Sequence, residues 1–329
     1  VQTCALPICC GIYINGAVKI APNKIGERIT PSVLLFNKND NDSKDELLVG
    51  EKTVSKNITD LKNYIYEIKR FIGLSYEDIE KSEFKHSLNY NIENNNGVPV
   101  IKIEFEGQLR EFTVEELSSY IISNVVQNAK DFIMQTLNKE VKIKNAIFTI
   151  PTQFKQKQKE SILEAAKIAG IEVPRLIFEP TAAALAYGIG HDLVPNEKKK
   201  SLLRSSLYGK KYAVPPSAGA NFKSEEKVLS FDLGGGTLDI TILKVTKDKN
   251  NNINFEVKST DGDIHLGGSD FDQKLIDYCI DFFCEENGLD KKDILNDFKA
   301  MRKLKIKCEN AKKLLSIKSR YSGFCFSSG

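Results

Sequence analysis

The sequence predicts an α/β protein, and three observations carry that prediction. Apolar strands and amphipathic helices alternate through the middle of the chain: KNAIFTIP (144–151), QKQKESILEAAKIAG (156–170), VPRLIFEP (173–180) and TAAALAYGIG (181–190). That alternation belongs to a sheet with helical cover. Short strands joined by turn residues stand on either side of it. A long apolar-striped helix opens at Thr113, three residues before Glu116, the spacing of a capping box.

Taken in order, ICCGIYING turns at Asn15-Gly16, a strong hairpin signal, and AVKIAPN follows as its partner. RITPSVLLF reads as a strand entered through Pro31, and the polar tract NKNDNDSKDE as a loop. SKNITDLKNYIYEIKRFIG places apolar residues at 58, 61, 65, 68 and 72, a helical spacing, with Gly73 as its C-terminal cap. SLNYNIENNNGVPVIKIEFEGQLREF is a hairpin series broken by an Asn-rich turn. After the central alternation, residues 191–227 have a basic cluster, turn formers and no steady period, and read as an insertion or linker. KVLSFDLGGGTLDITILKVTKD is a hairpin around a glycine turn. A further strand, the glycine turn Gly267-Gly268 and a helix follow it. DFKAMRKLKIKCENAKKLLS is a basic helix.

Composition limits the functions available. The chain has 329 residues, 41% hydrophobic and 28% charged, with 47 basic against 44 acidic side chains. A net charge of +3 is too balanced to imply a nucleic-acid partner. No apolar run approaches the roughly 20 residues of a membrane helix, so no membrane partner is expected. The first residues, VQTCALPICC, lack the basic flank of a signal peptide. Seven cysteines, none in a Cys-x-x-Cys pair, suit reduced thiols rather than a zinc site, and a cytoplasmic location is the default expectation.

The stretch FDLGGGTLDI (231–240) needs a physical reason, because each glycine in a strand interior costs roughly 0.5–1 kcal/mol relative to alanine. A turn of Gly234, Gly235 and Gly236 presents successive backbone N–H groups as an anion-binding nest, and Thr237 adds a hydroxyl. Asp232 and Asp239 flank it, placed to hold water around Mg²⁺, which takes few carboxylates directly. The same glycines also suit a plain tight hairpin.

Eight stretches then occur in a fixed order: NKIGERITPS, EIKRFIG, AIFTIPTQF, AAKIAG, IFEPTAAALAYG, FDLGGGTLDITIL, GDIHLGGSDFD and KCENAKKLLS. With them the chain resembles the nucleotide-binding domain of the seventy-kilodalton heat-shock chaperones, the DnaK-like family, over residues 8–316 apart from the insertion. The resemblance implies an actin-like ATPase fold: two lobes, each a mixed sheet flanked by helices, with ATP or ADP in the cleft between them. It divides the chain into a first lobe (1–190, with a smaller subdomain at about 37–112), the 191–227 insertion and a partial second lobe (228–329). It also leads to the expectation that these residues do not include the family's peptide-binding domain.

By matching motif, the resemblance assigns Gly234, Gly235, Gly236 and Thr237 to the terminal phosphates, with Gly267 and Gly268 beside them. It makes Asp232 and Asp239 the residues that order Mg²⁺ and the attacking water. Lys69 becomes the cation on the γ-phosphate, and Glu179 the carboxylate acting on the water–metal shell at the hinge. Read alone, Lys69 is a solvated lysine, and Glu179 is a strand-end carboxylate favoured by the helix dipole. Glu309, Lys312, Lys313 and Ser316 lie at i, i+3, i+4 and i+7, on one helix face. The resemblance gives that face to adenosine, with the lysine stems sandwiching the purine. It also implies J-domain co-chaperones, nucleotide exchange factors and unfolded client polypeptides as partners.

Where the family has a strand followed by Asp-Leu-Gly-Thr-Thr, this chain has QTCAL at residues 2–6. That loss predicts weak Mg-ATP binding and negligible hydrolysis, since one preorganised contact to developing charge is worth roughly 3–4 kcal/mol. A non-catalytic nucleotide-binding or scaffold copy of the fold is therefore the alternative. A small-molecule kinase of the same fold fits less well.

Overall fold

The computed structural model describes residues 7–37, 45–53, 61–82, 85, 88–186, 225–248, 253–263 and 266–319. Its elements form a mixed α/β architecture, the class the sequence predicts, with the described residues falling before residue 187 or after 224.

In the amino-terminal part, β1 (Gly11–Ile14) and β2 (Ala17–Ile20) pair antiparallel around Asn15 and Gly16. Both turn residues have positive φ, 52° and 78°, which is why Asn-Gly marks this turn. β3 (Val33–Asn37) is the centre of a three-stranded sheet, flanked antiparallel by β4 (Glu46–Val49) and β5 (Tyr64–Tyr66). After the short helix α1 (Tyr76–Glu80), β6 (Ile92–Asn95), β7 (Val98–Phe105) and β8 (Gln108–Thr113) form an antiparallel meander.

One core joins these layers. Leu34, Phe36, Ile65, Phe71, Ile101 and Leu117 are among its fully buried members, and the Phe36 ring meets Phe105 edge-on at 5.2 Å. The long helix α2 (Val114–Leu137) starts at Thr113, whose hydroxyl accepts the Glu116 N–H while the Glu116 carboxylate accepts the Thr113 N–H. The capping box is thus present as the sequence predicts.

β9 (Phe148–Ile150) and β10 (Leu176–Phe178) pair in parallel, joined by α3 (Gln156–Ile168), and α4 (Glu179–Ala186) follows directly. In the carboxy-terminal part β11 (Glu225–Leu233), β12 (Leu238–Lys247) and β13 (Ile253–Asp263) form an antiparallel sheet in that order. Three helices follow: α5 (Gly268–Asn287), α6 (Lys291–Asn296) and α7 (Phe298–Leu315). Ile276, Ile280, Cys284, Leu304 and Cys308 bury the α5–α7 contact.

One expectation is corrected. Residues 61–73 are not a helix: a 3-10 turn at Leu61–Asn63 leads into β5, and a second 3-10 turn covers Ile68–Phe71. Tyr64, Ile65 and Tyr66 are all buried beside β3, so sheet pairing overrides an apolar spacing that also fitted a helix. Gly73 does not cap a helix. It has φ +65°, and a Cβ there would lie 2.5 Å from the Gln158 Cα of α3. β11 begins at Glu225, within the stretch read as an insertion or linker. The rest of that stretch and most of the 37–45 loop lie outside the described residues.

Candidate functional site

The hairpin register sets the geometry of the glycine turn. Leu233 opposes Leu238 and Asp232 opposes Asp239, leaving a four-residue loop closed by the Gly234 N–H donating to the Thr237 carbonyl at 2.8 Å. The carbonyls of this loop are held from below by the start of α5. The Gly268 N–H donates to Gly234 O at 2.9 Å, and Ser269 donates to Gly235 O from both its N–H and its hydroxyl at 2.8 Å. Orphan amides at a helix N-terminus are thereby spent on fixing the turn.

Main chain meets main chain in this contact. A Cβ on Gly267 would overlap the N and Cα of Gly236, and one on Gly236 would sit 2.8 Å from the Arg70 guanidinium. The two glycine clusters are therefore neighbours in space, and close approach explains Gly236 and Gly267 before any ligand is considered.

Lys69 arrives from the amino-terminal part, in the 3-10 turn Ile68–Phe71. Its ammonium donates to Glu179 Oε1 at 3.0 Å, and Glu179 is the first residue of α4, which packs on β9, β10 and β11. Asp232 and Asp239 face this pair from the hairpin. Desolvation, then the Glu179 charge, pushes the Asp232 carboxyl above its ordinary range, while Lys69 pulls it down. The Asp232 residue is exposed as a whole, so only its carboxyl end feels this shielding. The buried Asp239 is pushed the same way by burial, by Glu179 and by Asp232, and it accepts a hydrogen bond from Thr237 Oγ1 at 3.4 Å.

Carboxyls raised first by burial and then by the Glu179 charge they share form a site that a cation relieves. A cavity of about 620 Å³ opens here, with Lys69, Pro151, Phe154, Thr237 and Asp239 in its wall. Among the described residues, no three His, Cys, Asp or Glu side chains group closely enough to cage a metal directly.

The α7 face is tied to the same region by its cations. Lys312 donates to the Gly268 carbonyl and to Asp272 Oδ2, both at 2.6 Å. Asp272 is buried, and burial raises its carboxyl while Lys312 lowers it. Lys313 pairs with Glu309 at 2.7 Å, and the Ser316 hydroxyl donates to the Lys312 carbonyl at 3.1 Å.

Of the predicted residues, Lys69, Thr237 and Asp239 line the cavity, while Glu179 and Asp232 stand outside its wall and reach it through the Lys69 pair and the hairpin. Gly234–Gly236, Gly267 and Gly268 are grouped beneath it, and Lys312 links α7 to that base. Glu309, Lys313 and Ser316 are not in the cavity wall. Sequence reasoning missed Arg70, Ser269, Asp270 and Asp272. The only signal for them was adjacency: Arg70 follows Lys69, and the other three follow Gly267-Gly268.

Comparison with known proteins bears on the whole chain. A profile described as "Hsp70 protein" matches residues 5–324. "Heat shock 70 kDa protein 2" of Paracoccidioides lutzii is 34% identical over 327 residues, covering 97% of this chain and 42% of its own length. "Heat shock cognate 70 kDa protein 3" of Dictyostelium discoideum is 34% identical over 316 residues, covering 95% and 43%. "Heat shock 70 kDa protein" of Emericella nidulans is 33% identical over 309 residues, covering 94% and 40%. The chain spans about two fifths of the length of these relatives. On the profile match and on these identities, this chain belongs to the Hsp70 family.

Proposed function

We propose that this chain is the ATP-binding, ATP-hydrolysing region of a heat-shock chaperone whose nucleotide state controls the binding of client polypeptides. One observation carries the reading: the Asp232 and Asp239 carboxyls, on opposed residues flanking the glycine turn, lie within electrostatic reach of the Lys69–Glu179 pair. A cation, paired acids and a backbone cradle are the parts that phosphoryl transfer requires, because positioning and electrostatics supply most of its catalysis.

In this reading the Gly235, Gly236 and Thr237 amides and the Thr237 hydroxyl bind the terminal phosphates. Lys69 places its charge on the γ-phosphate and is itself oriented by Glu179. Asp232 and Asp239 hold Mg²⁺ through water, in keeping with carboxyls that burial and the Glu179 charge both raise. When bound, Mg²⁺ neutralises charge on the phosphate oxygens. Glu309 and Ser316 on α7 meet the nucleoside with the Lys313 stem, and Lys312 is already committed to Asp272.

We further propose the division into a first lobe, 1–190, with the smaller subdomain at about 37–112, an insertion or linker, 191–227, and a partial second lobe, 228–329. J-domain co-chaperones and exchange factors act on this region, and clients bind elsewhere in the full-length relatives. A second reading, a non-catalytic scaffold, is favoured by QTCAL at residues 2–6, which supplies no acid, glycine or hydroxyl pair.

Single-turnover hydrolysis of Mg-ATP separates the two readings. The test compares the chain as it stands, a version with Asp-Leu-Gly-Thr-Thr at residues 2–6, and that version carrying Lys69→Ala. Slow turnover is expected to appear with the replacement. It should fall by about 10²–10³ on Lys69→Ala, the usual effect of losing one stabiliser of developing charge. Turnover insensitive to Lys69 would contradict the assignment, and no turnover in the replaced version would favour the scaffold.

A further inference from the structure

Arg70 follows Lys69 in the same 3-10 turn, yet it serves a different contact. Its side chain is only 5% exposed and lies between the two parts of the chain. On the amino-terminal side, Arg70 Nε pairs with Glu67 Oε2 at 3.0 Å, and the Arg70 N–H donates to the Glu67 carbonyl at 3.0 Å. Glu67 is 3% exposed and has φ 57°, a left-handed conformation that a non-glycine residue holds only when its surroundings fix it. On the carboxy-terminal side, Arg70 Nη2 donates to Ser269 Oγ at 2.9 Å and approaches Asp270 Oδ2 at 3.4 Å. The guanidinium also lies against Gly236, where a Cβ would come within 2.8 Å of it.

Both acceptors beyond Arg70 are already part of the turn's foundation. Ser269 donates to Gly235 O, and Asp270 accepts the Gly267 N–H at 2.7 Å. Glu67, Arg70, Ser269 and Gly235 thus stand in one chain of contacts, the first an ion pair and the next two hydrogen bonds. A planar guanidinium fork can hold three partners in fixed geometry, which an ammonium cannot.

We propose that Arg70 is a positioning residue for the glycine turn: it fixes Gly236 and the start of α5 against the turn that carries Lys69, so that the backbone cradle and the lysine meet the same terminal phosphate. This rests on the nucleotide reading above for its ligand, but not for its geometry. Two consequences follow. Without nucleotide, loss of the fork loosens the amides of Gly268 and Ser269, which donate into the turn. With nucleotide, it weakens recognition of the third phosphate more than of the first two, so the preference for ATP over ADP falls.

The test is amide hydrogen exchange on the full chain as parent, Arg70→Gln and Arg70→Lys, followed by titration of each with Mg-ATP and Mg-ADP. Arg70→Gln is expected to speed exchange at Gly268 and Ser269 by about tenfold or more, the equivalent of one charge-assisted hydrogen bond, with partial rescue by Arg70→Lys. The ATP-over-ADP preference should drop by a similar factor. Should Arg70→Gln fail to fold, Ser269→Ala, which leaves the Glu67–Arg70 pair intact, is expected to loosen the same amides. Unchanged exchange at Gly268 and Ser269 in a folded variant would overturn the proposal. So would loosened amides with an unaltered ATP-over-ADP preference. Failure of the parent to bind either nucleotide even with Asp-Leu-Gly-Thr-Thr placed at residues 2–6 would instead overturn the proposed function, and the exchange result would then decide the role of Arg70 by itself.

Discussion

Glu67 shows how much one buried side chain sets at the residue scale. Burial pushes its carboxyl up to about 7, against the pull of Arg70, with the Asp270 charge adding to the rise and Lys305 and Ser269 opposing it. A carboxyl raised on folding binds its proton more tightly in the folded state. The ionised form is therefore a penalty above pH 7 that disappears as pH falls towards the ordinary value of 4.5. Stability is expected to increase by on the order of 1 kcal/mol between pH 8 and pH 6 from this group. Glu67→Gln should flatten that part of the profile in thermal or denaturant unfolding, and a slope unaffected by the substitution would contradict the assignment.

Gly267 gives a second residue-scale expectation. Its φ of −158° is ordinary extended backbone, so alanine is conformationally acceptable there, but the added Cβ would overlap Gly236. Gly267→Ala is expected to cost about 1–3 kcal/mol by overpacking and to reduce nucleotide affinity with it. Denaturant midpoints matching the parent would show that the contact yields. The glycines were visible in the sequence as an anomaly with a ligand-based reason. Their second reason, contact with each other, was not, because nothing in a linear pattern places residue 236 against residue 267. The Lys69–Glu179 pair, 110 positions apart, was assigned only through family motifs.

Local chemistry was legible at the scale of elements wherever the element decides its own structure. The Asn15-Gly16 hairpin and the Thr113–Glu116 capping box both formed, since each depends on φ preference or hydrogen bonds within four residues. Thr113→Ala should destabilise the protein by about 1 kcal/mol through loss of the cap, measurable as a lower denaturant midpoint with unchanged slope. A neutral effect would mean that water replaces the cap without cost. Residues 61–72 were misread for the opposite reason. Their apolar spacing satisfied a helix, but burial of Tyr64, Ile65 and Tyr66 beside β3 is a tertiary outcome. β-Branched and aromatic residues in that triplet were the available signal for a strand.

The fold class of the whole molecule was readable from alternation, and the family from the order of the motifs, because both are properties of the chain as a line. How the two parts meet was not readable. That junction is built from the Arg70–Ser269 bond, the Thr152–Thr260 hydroxyl pair at 2.8 Å and Lys305 over the Tyr66 ring at 5.6 Å. Each joins residues more than one hundred apart and none stands out in the sequence. Among the described residues no helix is long and apolar enough to cross a membrane. At the junction Arg70 lies against Gly236 and Ser269, and Lys69 shares a cavity wall with Thr237 and Asp239.

The central claim is that the loop after Asp232 is a seat for terminal phosphates. Amide exchange at Gly234 to Thr237, with and without saturating Mg-ATP, tests it most directly. Slowed exchange at Gly235, Gly236 and Thr237, lost in Lys69→Ala, is the expected result. Nucleotide that binds while those amides exchange at their free rate would contradict it.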